Sequence, residues 1–212
     1  MTASRKHPDL YTFGESHIHE TVRGKDPRLA AREVSEQIHT LPLFTPEFCE
    51  KLIEEIEACG QWEAGLKINF FEAENEDTSP PGLKNGHSLG KLPGLAAVYN
   101  QIIDRCVIPV TEPIWETFET QMYRTPYVVK YDASNPELPV GMAPHWDQCG
   151  LSMFVSLNED YKGGGTRFRQ WNFETGKLPA GTALIFPGGI SHEHEGRPVT
   201  QGHRYVLICD FF

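Results

Sequence analysis

Residues 127–131 (YVVKY), 151–157 (LSMFVSL), 166–171 (TRFRQW), 182–186 (TALIF) and 204–212 (RYVLICDFF) decide the fold. Each run is short and rich in β-branched and aromatic residues. Turn formers punctuate them: Gly163, Gly164 and Gly165 precede the third run, and Gly188 and Gly189 follow the fourth. Runs of this kind predict six to eight strands of a sandwich or barrel, with the glycines at its tight corners.

Upstream the pattern is helical. Thr45 and Pro46 form a cap and first-turn pair, and Phe48, Leu52, Ile53 and Ile56 recur at helical spacing until Gly60, which predicts one amphipathic helix. A second helical stretch runs from about Leu95 to Phe118, with breaks expected at Pro109 and Pro113. Residues 72–91 are acidic and then rich in Pro, Gly and Asn, and read as an exposed loop. If that loop folds over a site, Glu72, Glu74, Glu76 and Asp77 favour a cationic substrate. Residues 1–40 are polar, with room for one short helix after Pro27. The expected organisation is a polar arm over 1–40 and a domain over 41–212, with helical support at 41–120 and a β core at 121–212. The class is mainly β with flanking helices (α+β).

Composition narrows the functions. A chain of 212 residues with 39% hydrophobic content suits one folded domain. Lys and Arg number 19 against 29 Asp and Glu, a net charge of −10, which disfavours a nucleic-acid partner. Five cysteines without a C-x-x-C pair suggest neither a disulfide framework nor a cysteine zinc site. No apolar leader follows the N-terminus and no 18-residue apolar run occurs, so neither a secretory signal nor a membrane partner is expected and the cytoplasm is the expected location. Oligomeric state is not legible.

The chemistry gathers in the last third. In His145-Trp146-Asp147 the strand period of two aims imidazole and carboxylate to one side and Trp146 to the other. A later histidine completes two histidines and one carboxylate, the facial set that leaves open positions on a non-heme Fe(II). His192 and His194 are both placed for this by periodicity. Arg204 follows after a turn through Pro198–Gly202, and its planar fork suits the far carboxylate of a chelating diacid such as 2-oxoglutarate. His17 and His19 sit in the polar arm without a carboxylate and read as solvated. Cys149 reads as core filler, and Glu193 and Glu195 as a solvated face or ion pair.

From about residue 124 the chain resembles the Fe(II)/2-oxoglutarate dioxygenases of the prolyl and lysyl hydroxylase type, above all the procollagen lysyl hydroxylase catalytic domain. The resemblance rests on PYVVKYD at 126–132, APHWD at 143–147, SLNEDYKGGGTRFRQW at 156–171, KLPAGTALIFPGGISHEHEG at 177–196 and PVTQGHRYVLICDFF at 198–212. It implies a double-stranded β-helix, a cupin-like jelly roll. It also implies Fe(II) held by His145, Asp147 and His194, the spacing to Arg204 selecting His194 over His192. Arg204 and Tyr131 would contact the 2-oxoglutarate co-substrate, and ascorbate is a candidate further cofactor. The implied reaction consumes O2, releases succinate and CO2, and hydroxylates an unactivated C–H of a peptide, protein or free amino acid, with lysine or proline foremost. Two departures stand out: a longer segment between Tyr131 and His145, and Phe154 where the lysyl hydroxylases carry a polar residue. Without a secretory signal, procollagen is not the expected substrate. The other readings are a non-catalytic metal-binding jelly roll, a natural-product tailoring oxygenase and a zinc hydrolase.

Overall fold

In the computed structural model, which describes residues 5–60, 62, 86–115 and 124–212, all of the run RYVLICDFF but Phe212 lies within the last strand and is buried. In chain order the elements are β1 (Arg32–Ser35), β2 (Ile38–Pro42), α1 (Pro46–Cys59), β3 (Gly86–Ser88), α2 (Pro93–Cys106), α3 (Ile108–Ile114) and β4 (Arg124–Asp132). There follow β5 (Met142–His145), β6 (Leu151–Ser156), β7 (Lys162–Gly163), β8 (Thr166–Phe168) and β9 (Phe173–Glu174). Last come β10 (Thr182–Pro187), β11 (His194–Gly196), β12 (Val199–Gln201) and β13 (His203–Phe211).

A seven-stranded antiparallel sheet has the order β1-β2-β10-β6-β13-β4-β3, and a four-stranded sheet the order β5-β11-β8-β9. β12 and β7 form a separate pair. Alternation along the central strands assigns the two faces of the large sheet. Leu207, Cys209 and Phe211 of β13, with Leu151, Met153 and Val155 of β6, pack against Leu52 and Ile56 of α1 and Tyr99 and Ile102 of α2. The opposite parity carries Arg204, Val206, Ile208 and Asp210 of β13 and Tyr127, Val129 and Tyr131 of β4. Its apolar members join Met142 of β5 in a second cluster. This is the jelly-roll arrangement, with the functional residues on the inner face.

The local signals explain α1. Thr45 Oγ1 accepts from Phe48 N–H at 3.3 Å, Pro46 opens the first turn, and Gly60, at φ 64°, closes the helix with its N–H on Ile56 O. α2 and α3 break just before Pro109, which sits in the first turn of α3, and Pro113 lies one residue before that helix ends. The expected extension to Phe118 falls outside the described residues, as does the acidic cluster at 72–77. Residues 86–91 differ from the expected exposed loop: Gly86 to Ser88 pair with β4, and His87 and Leu89 are fully buried.

The first 40 residues also differ from a polar arm. Leu10, Ile18 and Val22 enter the main core, and β2 pairs with β10 inside the large sheet. Glu55 of α1 is buried and accepts from His7 N–H at 2.8 Å and from Tyr11 Oη at 2.7 Å. In place of the expected helix after Pro27 there is one 3-10 turn, Pro27–Leu29, followed by β1. The apolar residues of this segment are sparse and aperiodic, and its strand pairing is non-local, so neither leaves a local pattern. Among the described residues after 120 there are ten strands, the extra ones being only two to four residues long.

Candidate metal centre

His145 ends β5 and His194 opens β11, directly opposite each other in the ladder. Each imidazole donates Nδ1–H to a backbone carbonyl, His145 to Ala143 at 2.7 Å and His194 to His192 at 3.0 Å, which turns both Nε2 atoms toward one point. This is the orienting arrangement of metal-bound histidines. Asp147 lies beyond the end of β5. Its N–H donates to Gly188 O at 2.9 Å, which fixes the loop where strand geometry has stopped. Oδ1 of Asp147 is 3.2 Å from His145 Nε2, and Oδ2 is 3.6 Å from His194 Nε2. Ligand atoms on bonds of about 2.1 Å at right angles stand roughly 3 Å apart. Among the described residues this is the one group of three whose donor atoms could share an ion.

The charges are consistent with such an ion. Burial, the largest influence, pushes His194 below its ordinary value, so its imidazole is neutral. Burial opposes the charge on His145 too, but the hydrogen bond and charge of Asp147 raise it above the ordinary value. Burial alone would raise Asp147, yet His194, His145 and the hydroxyl of Ser152 hold it below the usual carboxylate range. The rings of Phe154, Phe168 and Phe186 surround His194 with centroids 5.2, 5.6 and 4.9 Å away. Its Nε2 is buried and has no hydrogen-bond partner among the described residues. A lone pair kept from water in an apolar cage, beside an ionised carboxylate, fits a metal ion.

Arg204 faces this group from the other sheet. It is buried, donates Nη1–H to Gly165 O at 3.1 Å, and leaves Nε without a partner. No carboxylate of the described residues pairs with it. A buried cation lacking a counter-charge is costly, so the site calls for an anion from outside. Tyr131 stands opposite Arg204 in the β4–β13 ladder, and the guanidinium carbon lies 5.8 Å from its ring centre. The longer segment before His145 therefore does not carry Tyr131 away. Both residues, the triad, Thr166 and Phe154 line one cavity that opens to solvent.

Several expectations change. His192 does not share a strand with His194: it closes a 3-10 turn, and its Nε2 meets Glu36 O at 3.0 Å, away from the cavity. The expected turn through Pro198–Gly202 contains the short strand β12, and Arg204 lies in a different sheet from His194. Of the two readings of Glu195, the ion pair holds and the solvated face does not: it is buried, within 2.9 Å of Arg169 and 3.5 Å of both Arg167 and Arg197. His17 is buried with its Nε2 on Thr12 O. Trp146 is 45% exposed, and Cys149 is buried as expected. The sequence reading missed Ser152, Tyr127 and Asp210. The signal was there: Ser152 and Asp210 are polar interruptions in the apolar runs LSMFVSL and RYVLICDFF.

No protein-family model matches the chain. It is 30% identical over 214 residues to the multifunctional procollagen lysine hydroxylase and glycosyltransferase LH3 of Rattus norvegicus, covering 95% of this chain and 28% of that protein. It is 28% identical over 207 residues to the procollagen-lysine,2-oxoglutarate 5-dioxygenase 1 of Mus musculus, covering 92% and 26%. The chain thus spans about a quarter of the curated relatives it matches. The similarity also reaches well beyond residues 124–212, into the segment where the sequence offered no resemblance. Among solved structures, a Trichoplax adhaerens prolyl hydroxylase bound to a hypoxia inducible factor peptide has a TM-score of 0.58 at 15% identity, covering 83% of each chain. A Pseudomonas putida prolyl-4-hydroxylase has a TM-score of 0.57 at 15% identity, covering 82% of this chain and 92% of its own.

Proposed function

We propose, from a chain whose homologues are procollagen lysine hydroxylases and whose fold is shared with prolyl hydroxylases, that it is an Fe(II)- and 2-oxoglutarate-dependent dioxygenase. It would hydroxylate an unactivated C–H bond of a lysine or proline, in a peptide or as the free amino acid. The observation that carries this reading is the pairing, in one cavity, of the His145, Asp147 and His194 donors with the buried, unpaired cation of Arg204.

Each residue has a distinct task in this reading. Nε2 of His145, Nε2 of His194 and a carboxylate oxygen of Asp147 would hold ferrous iron. With 2-oxoglutarate and O2, the iron supplies the oxidative decarboxylation to succinate and CO2 that drives hydroxylation. Arg204 would clamp the co-substrate's far carboxylate with its unpaired donors, and Tyr131 would flank it. The carbonyls of Ala143 and His192 hold the imidazoles in the Nδ1–H tautomer, leaving both Nε2 lone pairs free. Phe154, Phe168 and Phe186 keep water from the His194 side. Ascorbate would serve as an accessory reductant for the iron, and the cytoplasm is the proposed location.

The test is anaerobic. Protein given Fe(II) and 2-oxoglutarate should develop a weak visible charge-transfer band, and admission of air should release succinate. Absence of both would favour a non-catalytic metal-binding module. Mass spectrometry of peptide and amino-acid pools for a +16 Da product would then identify the substrate.

A further inference from the structure

Behind Asp147, on the side away from the cavity, lies a small buried polar group. Ser152 is fully buried on β6, with Phe186 of β10 opposite it on one side and Asp210 of β13 on the other, so paired strands fix its backbone on both sides. Its Oγ–H donates to Asp147 Oδ2 at 2.5 Å. Its remaining neighbour is Cys149, with Sγ at 3.2 Å from Oγ, and that thiol also reaches Leu151 O at 3.3 Å. The group admits no slack: a Cβ on Gly188 would stand 2.3 Å from Cys149 Sγ and 2.9 Å from Ser152 Oγ. Since Gly188 O accepts the Asp147 N–H, Asp147 is held at its backbone and at one carboxylate oxygen.

We propose that Ser152 is a positioning residue for the metal centre: by engaging Oδ2 it reserves Oδ1 as the single ligand oxygen of Asp147. The inference rests on the ferrous-site reading above. Its chemical consequence concerns the number of open positions. Two histidines and one carboxylate oxygen leave three, enough for a two-point chelator and one further small ligand. A carboxylate bound through both oxygens would take one of them. The Ser152 hydrogen bond is charge-assisted and dry, so it is strong enough to decide between the two modes.

The experiment uses Co(II) in the metal-free protein, followed by chelator competition and visible spectroscopy. Wild type sets the reference affinity and spectrum. Ser152→Ala should bind about 10–100-fold more weakly, with a visible spectrum that differs from wild type because the second carboxylate oxygen replaces a ligand at one of the open positions. Circular dichroism and thermal melting would establish that the variant is folded. A folded Ser152→Ala that matches wild type in both affinity and spectrum overturns the proposal. A crystal structure of the unaltered Co(II) protein decides it independently of any variant: Oδ1 alone on the metal supports it, and both oxygens on the metal overturn it. Wild type that binds no Co(II), or binds it through other residues, overturns the ferrous-site reading along with the proposal.

Discussion

Replacing Asp210 by asparagine probes the electrostatics behind the metal centre without altering a donor side chain. Asp210 is 3% exposed, and its carboxyl is pushed well above the ordinary range, first by burial and then by the charge of Asp147, against a hydrogen bond from Tyr127. It therefore keeps its proton to higher pH than an ordinary aspartate does. The linkage sign follows from this. A group whose pKa is raised by folding stabilises the fold fully below its unfolded value, about 3.9 for Asp, and loses that contribution as pH rises toward the folded value. The loss amounts to about 1.4 kcal/mol per pH unit across that window. Asparagine has nearly the same shape, can still meet Tyr127, and cannot ionise. The difference in unfolding free energy between Asp210→Asn and wild type should be flat below about pH 4. Above that it should grow in the variant's favour by about 1.4 kcal/mol per unit until the wild-type carboxyl titrates in the fold. Urea unfolding of metal-free protein, read by circular dichroism at half-unit steps from pH 3.5 to 8, measures it. An offset that stays constant with pH, or one that increasingly favours wild type, would refute the reasoning.

Other substitutions separate the tasks of the site. Arg204→Ala should weaken 2-oxoglutarate binding by at least 10²-fold, the worth of two charge-assisted hydrogen bonds at about 1.5–3 kcal/mol each, while Co(II) affinity without co-substrate changes little; calorimetry reads both. His145→Ala or Asp147→Ala should abolish succinate release. His192→Ala should retain it but melt several degrees lower, having lost the contact with Glu36 O; an inactive but folded His192 variant would show that the donors are misassigned. Gly164→Ala should raise the apparent KM for 2-oxoglutarate, because φ is +71° there and the new Cβ would sit 2.8 Å from Tyr161 Cε2 and 3.2 Å from Arg204 Cδ. Thr45→Ala should cost about 1 kcal/mol in chemical denaturation, the usual worth of a helix cap.

Much of this was legible because the chemistry needs residue types that the surrounding sequence does not. A histidine and an aspartate two apart, a later histidine and an arginine ten residues on stand out against apolar strands, and the structure brings all four together. What was hidden depended on long-range pairing. Residues 32–42 carry too few apolar side chains in a row to announce strands, and β2 is a strand because β10 offers it an edge. The two-residue β7 and β9 exist only as partners of β12 and β8. Asp147 reaches the group through a loop tied to Gly188, so the strand-period argument reached a correct neighbourhood by a path the backbone does not follow. Ser152 and Asp210 were visible as letters, but their meaning required knowing that their strands are adjacent and in register.

The donors and the cation come from opposite layers: His145 and His194 from the four-stranded sheet, Arg204 and Tyr131 from the seven-stranded one. A diacid anchored at both ends would brace the two layers like a strut. Loading should therefore retard amide hydrogen exchange in both layers at once, along β11 and β13 together, and raise the melting temperature in proportion to the logarithm of diacid concentration once the pocket is saturated.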